Sequence, residues 1–200
     1  MANVKQNHIL FPTIVNEFEY IANENLLNAI RTEELYPPSN NLSSRSSDCN
    51  LQKRKEYEPL VDKILNTTKE VCKIYEYEYE SLEITSLWIN IAKEKNFHSP
   101  HTHSNNIFSG VWYPTECKTT PIMFIDPRQQ NGQWAPKRKK SNNFTATLVS
   151  LLNKKNTGYI FPSWLMHYVP PVTGNRVSMS WNVLLRGEYG EPDTLQNAHI

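Results

Sequence analysis

The chain has 200 residues, with 21 Lys and Arg against 20 Asp and Glu for a net charge of +1. That length suits one domain with a sizeable core, and so even a balance gives no global pull toward DNA or anionic lipid. No apolar run is long enough to span a bilayer, and "MANVKQNHILF" lacks the apolar stretch and small-residue cleavage site of a secretory leader.

In chain order, "HILFPTIV" (8–15) predicts a short first strand. Phe18, Ile21, Ala22, Leu26, Ala29 and Ile30 fall near helical spacing and predict a helix over 16–35. The Pro, Ser and Asn of 36–50 predict an exposed loop. Apolar residues at 60, 61, 64, 65, 71, 72, 74 and 75 predict an amphipathic helix over 58–77. From residue 79 the pattern changes to short β-rich runs at 82–92, 107–114, 120–126, 144–152, 158–162 and 176–185, with turn residues between them.

Helices first and strands after give an α+β chain whose β half is a sandwich or barrel. The expected organisation is a single domain over 1–200. Its helical part covers about 16–77, its β-barrel about 80–186 and its tail 187–200. Residues 127–143 form a long polar loop with the basic run Lys137–Lys140. Four adjacent cations can attract a phosphate backbone or an acidic peptide, and a solvated charge run is the plainer reading. Cys49, Cys72 and Cys117 lie far apart and are odd in number, which fits neither a disulfide framework nor a zinc motif. A reducing, cytoplasmic compartment follows. Asn outnumbers Gly by 22 to 6, the bias of an AT-rich genome such as a phage's.

Three of the six histidines, His98, His101 and His103, crowd into "FHSPHTH". Residues i and i+2 of a strand share a face, so His101 and His103 can present two imidazoles side by side. His98 is off that parity. Paired imidazoles suit Fe(II) and Zn(II) alike, and a polar loop with surface histidines is the plain alternative. A third imidazole, His167, lies among large apolar residues in "GYIFPSWLMHYVPP" and faces an enclosed space.

"HYVPPVTGNRVSMSWN" reads as a hairpin around "PVTG". With 171–174 as its loop, 167 pairs with 178, and His167, Val169, Arg176 and Ser178 share a face. Along the second strand Arg176, Ser178, Ser180 and Asn182 alternate with Val177, Met179, Trp181 and Val183. A polar inner face is what a barrel needs when it holds a charged small molecule.

Together, "HTH" with "FSGVWY", then "FIDPR", then "FPSWLMHYVPPVTGNRVSMSWN", resemble the 2-oxoglutarate/Fe(II) oxygenases of bacteria and phages. "LFPTIV" and "SLWIN" carry the same likeness, which covers most of 8–186. The resemblance implies a double-stranded β-helix (jelly-roll barrel) with the N-terminal helices packed outside. It implies Fe(II) as the metal and 2-oxoglutarate as a small-molecule co-substrate. Oxidative decarboxylation to succinate would be coupled to hydroxylation of a second substrate, and no feature singles out a protein, nucleotide or small molecule. His101 matches the family's proximal histidine and His167 its distal one. The usual carboxylate position is His103, a departure from the two-histidine, one-carboxylate triad. Either His103 is the third ligand, or it points away, or Asp126 completes the set; the favoured set is His101, His103 and His167. Arg176, nine residues after His167, matches the family's cation for the far carboxylate of 2-oxoglutarate, with Ser178 beside it. Asn90, Tyr113 and Asn182 are candidate wall residues. Phe161, Trp164 and Trp181 would exclude water or shore up the barrel.

Three rivals stand beside this reading. A three-histidine zinc enzyme has no need of Arg176 and Ser178. A cupin would carry a Glu soon after the histidine pair, and "SNNIFSG" has none. A catalytically inactive barrel serving as a binding module is the third.

Overall fold

The computed structural model describes residues 5–37, 42–128, 132–191 and 193–200. Its strands are β1 (Asn16–Glu19), β2 (Leu35–Tyr36), β3 (Ser44–Ser46), β4 (Ser81–Ala92), β5 (His98–His101), β6 (Phe108–Trp112), β7 (Cys117–Ile125), β8 (Leu148–Asn153), β9 (Thr157–Pro162), β10 (His167–Val169), β11 (Arg176–Arg186), β12 (Glu188–Tyr189) and β13 (Ala198–His199). Helices α1 (Glu24–Thr32) and α2 (Glu58–Tyr75) precede β4. A seven-stranded sheet runs β1-β9-β6-β11-β4-β3-β2, and a four-stranded sheet runs β5-β10-β7-β8. The two lie face to face as the jelly roll expected from the sequence.

Period-two alternation sorts the side chains of the larger sheet into two layers. Its outward residues Leu87, Ile89, Phe108, Trp112, Met179, Trp181 and Val183 pack with Leu26, Ile30, Leu60, Ile64 and Val71 of the helices. Helices are therefore on the outside, and Trp181 belongs to that outer layer. Inward, Val111, Tyr113, Tyr159 and Phe161 meet Ile122, Phe124 and Leu165 between the sheets. Among the described residues no helix is long and apolar enough to cross a membrane.

Helix α2 follows its predicted span closely. It ends where Glu76 adopts φ 55° and the Tyr77 N–H reaches the Cys72 carbonyl. The predicted helix over 16–35 is shorter. Asn23 caps α1 by accepting from the Leu26 N–H at 2.9 Å, and residues 16–19 instead pair with β9. Phe18 lies against Gly158 of β9, and this cross-strand contact outweighs the weak helical periodicity before the cap. The predicted strand over 8–15 is absent: its residues are irregular, and Ile9, Leu10 and Phe11 are exposed. The strand predicted over 144–152 begins at Leu148, because Asn142 turns the chain by accepting from the Ala146 and Phe144 N–H groups.

The hairpin expected around "PVTG" does not form. β10 pairs with β5 and β7, whereas β11 pairs with β4 and β6, so the two strands lie in different sheets. Pro170 and Pro171 have no N–H for a ladder, and the segment beyond them is held elsewhere. The Val172 N–H donates to Asn96, and the Gly174 N–H to the Glu94 carboxylate at 2.7 Å.

Gly110 of β6 sits where any β-carbon would overlap the Trp181 indole. Gly110→Ala is expected to lower stability by about 1–3 kcal/mol through overpacking of the outer layer, read as a lower midpoint in urea unfolding.

Candidate metal centre

Cross-strand register assembles the histidines. His101 of β5 is opposite His167 of β10, which is opposite Phe124 of β7. His103 follows β5 and is tied in by its own N–H to the Ser163 carbonyl. One ring nitrogen from each of His101, His103 and His167 lies within 4.8 Å of the others. The rings of His101 and His167 are 4.4 Å apart between centroids, and that of His103 is 5.2 Å from both.

Each imidazole has an oxygen acceptor at Nδ1. His101 donates to the Ser99 carbonyl at 2.7 Å and His167 to the Leu165 carbonyl at 2.9 Å. His103 donates to the Asn182 side-chain oxygen at 2.6 Å. These acceptors place the proton on Nδ1 and leave the Nε2 lone pair for a cation. The Nε2 of His103 is buried without a partner, the state in which a metal ligand waits. Burial pushes the His167 imidazole down to about 3 against the Leu165 bond, with His101 and His103 adding repulsion. Burial also lowers His103. Both are neutral near pH 7, as ligation requires.

The candidate wall residues take more particular places. Asn182, held by Ser109 at 2.8 Å and Ser86 at 3.0 Å, positions His103. Tyr113 accepts from Arg176 Nη2 at 3.0 Å, and burial raises its phenol while Arg176 opposes the shift. Asn90 donates to Ser180 at 3.2 Å and lines the cavity. Asp126 stands apart from the three histidines, bonded to Arg128 at 2.9 and 3.0 Å. His98, opposite Val169, lines the same cavity outside the three-histidine group. Burial first, then Arg176, pushes it down to about 4.

The cavity is about 360 Å³, and among the described residues no Asp or Glu lines it. His101, His103 and His167 are on one part of its wall, Arg176 and Ser178 on another, and Phe161 lines it while Trp164 is exposed. Arg176 is 2 % exposed, donates to Ser178 Oγ at 3.1 Å, and its Nε has no partner. A buried guanidinium with an orphaned N–H and no facing carboxylate is built for an incoming anion. Trp88, which the sequence reading passed over, stacks against His103 at 5.9 Å. Its signal was parity, since it alternates with Leu87 and Ile89 and shares Asn90's face.

A double-stranded β-helix with three converging imidazoles and a buried cation has the parts that a metal- and acid-binding barrel needs. Residues 86–182 match the family described as "Putative 2OG-Fe(II) oxygenase". No curated protein matches. Among solved structures, an oxidoreductase of the 2OG-Fe(II) oxygenase family from Burkholderia pseudomallei is similar, with TM-score 0.61, 12 % identity and coverage of 85 % of this chain and 84 % of that one. A Pseudomonas putida prolyl-4-hydroxylase gives TM-score 0.56 at 12 % identity, over 88 % of this chain and 94 % of that one. HygX from Streptomyces hygroscopicus, solved with nickel, 2-oxoglutarate and hygromycin B, gives 0.57 at 9 %, over 86 % and 83 %. At these identities the structures establish the fold. The family match runs from within β4 to within β11, just under half of the chain, and takes in the strands of the site.

Two outcomes are expected. Asn182→Ala should lower metal affinity by roughly 10–100-fold without changing which metal is taken up, measured by competition with a chelating dye. Metal-free protein should lose stability as pH falls below about 6.5, where unfolding lets the buried imidazoles take protons that the folded state refuses. His167 alone contributes about 2 kcal/mol of that loss between pH 7 and 5, read by urea unfolding across the range.

Proposed function

We propose that the chain is a hydroxylase-type oxygenase in which His101, His103 and His167 hold Fe(II) and Arg176, with Ser178, grips the far carboxylate of 2-oxoglutarate. The observation that carries the reading is the orphaned Nε of the Arg176 guanidinium in the same cavity as three imidazoles that are each hydrogen-bonded through Nδ1, with the Nε2 of His103 buried and unpartnered. Once bound, iron and the keto acid supply the oxidation, consuming dioxygen, releasing succinate and carbon dioxide and adding a hydroxyl to a second substrate.

The remaining work belongs to the protein's own residues. Ser99, Leu165 and Asn182 fix the imidazole tautomers, so no proton has to leave Nε2 when the cation arrives. Arg176 and Ser178 set the orientation of the keto acid from its far end, which turns an encounter into a positioned complex. Tyr113 keeps the guanidinium in place by accepting its second Nη. Phe161, Ile122 and Val169 give the cavity apolar walls, where a charge–charge contact is stronger than in water. Three free thiols support a reducing compartment, the cytoplasm of a bacterium or of a phage-infected host.

The test is metal analysis of protein purified without oxygen, followed by calorimetric titration with 2-oxoglutarate. Iron uptake and keto-acid binding are expected. Arg176→Gln should weaken keto-acid binding by about 100-fold, near 3 kcal/mol, while metal content stays the same. Tightly held zinc with no keto-acid binding overturns the reading in favour of a hydrolytic metal site.

A further inference from the structure

The basic run at 137–140 has no part in the site above, and the stretch of sequence that holds it is one-sided in charge. From 127 to 187 the sequence holds no Asp or Glu, yet nine of the 21 Lys and Arg fall there. The near-neutral total therefore conceals a segregated distribution. Among the described residues none of Lys137, Arg138, Lys139 and Lys140 takes part in an ion pair. All four are exposed, and two aromatic side chains flank them in the open: Trp134 at 88 % and Phe144 at 69 %. The segment is shaped as well as charged. Arg138 donates to the Thr145 carbonyl, and the Asn142 side chain accepts from the Phe144 N–H at 3.0 Å.

Register fixes where this loop stands. His101, His167, Phe124 and Val149 form one row across β5, β10, β7 and β8. The loop leaves β7 after Ile125, one residue beyond Phe124, and rejoins β8 at Leu148, one before Val149, and the Asp126 N–H closes its base on the Thr147 carbonyl. By strand spacing that base is on the order of 10 Å from His167. The Ile125 N–H ties it to the Met166 carbonyl, in a turn where Trp164 at 56 % and Met166 at 43 % are exposed. A basic, aromatic-bearing loop therefore rises beside the metal row.

An acidic peptide matches the charge of this loop and leaves its exposed rings without a use. A duplex offers phosphates and keeps its base faces stacked. A single strand offers both a regular line of anions and free π faces. We propose that the 132–147 loop binds single-stranded nucleic acid beside the metal centre, with Lys137, Arg138, Lys139 and Lys140 on the phosphates and Trp134 and Phe144 stacking bases. This goes beyond the oxygenase reading and does not depend on bound metal.

The test is fluorescence anisotropy of the full metal-free chain with labelled oligo(dT) and oligo(U) of about 12 nucleotides, in salt from about 50 to 200 mM. Binding should weaken with salt at a log–log slope of roughly −0.7 per neutralised phosphate, and the DNA and RNA arms show which backbone is preferred. The variant K137Q/R138Q/K139Q/K140Q should weaken binding at least about 10-fold and flatten the slope toward zero. W134A should weaken it by about 5–10-fold with the slope unchanged, the signature of lost stacking. Both variants should keep the parent's thermal unfolding and its 2-oxoglutarate affinity, because the loop is outside the core and the cavity. The proposal is overturned if the oligonucleotides do not bind, if oligoglutamate binds as tightly, or if W134A leaves binding intact and a duplex of equal length binds as well. A chain that bound oligonucleotide but no keto acid would sink the oxygenase reading and leave this one standing.

Discussion

Strand β11 is hydrogen-bonded along its length to β4 on one side and over its central part to β6 on the other, and its side chains alternate between two unlike environments. Val177, Met179, Trp181 and Val183 enter the layer under the helices. Arg176, Ser178, Ser180 and Asn182 face the cavity or the residues that build it. A slip of one residue would push the guanidinium into an apolar layer and the indole of Trp181 into the site. Register is therefore strongly specified, and the position of Arg176 relative to His103 is specified with it, because Asn182 on the same strand holds that imidazole. The one register shift between β11 and β4 falls after Asn182, beyond the last of the polar, inward-facing residues.

The site is electrostatically unusual in what it omits. Among the described residues its cavity has a cation and four imidazoles and no carboxylate. Where the usual two-histidine, one-carboxylate triad sets one negative ligand against the metal, three imidazole ligands would leave the whole charge of a divalent cation to be met by what binds beside it. In the proposed complex a keto diacid would meet that charge at one end and Arg176 at the other. Burial keeps His167 and His103 neutral, and their Nδ1 acceptors keep them in one tautomer, so the site is arranged before anything enters.

Much of this was legible in the sequence because it rests on local periodicity. The alternation of 176–183 separated the polar and apolar faces of β11 correctly, and the helical spacing of 60–75 gave α2. The pairing of β10 was misread, since a strand followed by "PVTG" and a second strand has the pattern of a hairpin. Two prolines and the bonds from Val172 and Gly174 to the β4–β5 connection carry the chain across to the other sheet. His167, Val169, Arg176 and Ser178 still share a cavity, now from facing sheets instead of adjacent strands. The role of Trp88 was readable from its parity and was missed. That Asn182 serves His103 was not readable, because 79 residues separate them.

The sequence by itself determined which side chains face inward along each strand, for side-chain direction in a strand follows from the backbone's period of two. It also determined the kinds of group available: imidazoles, one guanidinium, hydroxyls and amides. Only the tertiary structure decided which of them meet. Convergence of His101 with His167, and the orphaned Nε of Arg176 opposite them, depend on strand order and register between distant segments. Those are set by how two sheets and two helices bury their apolar faces at once, a condition that no short stretch of the chain contains.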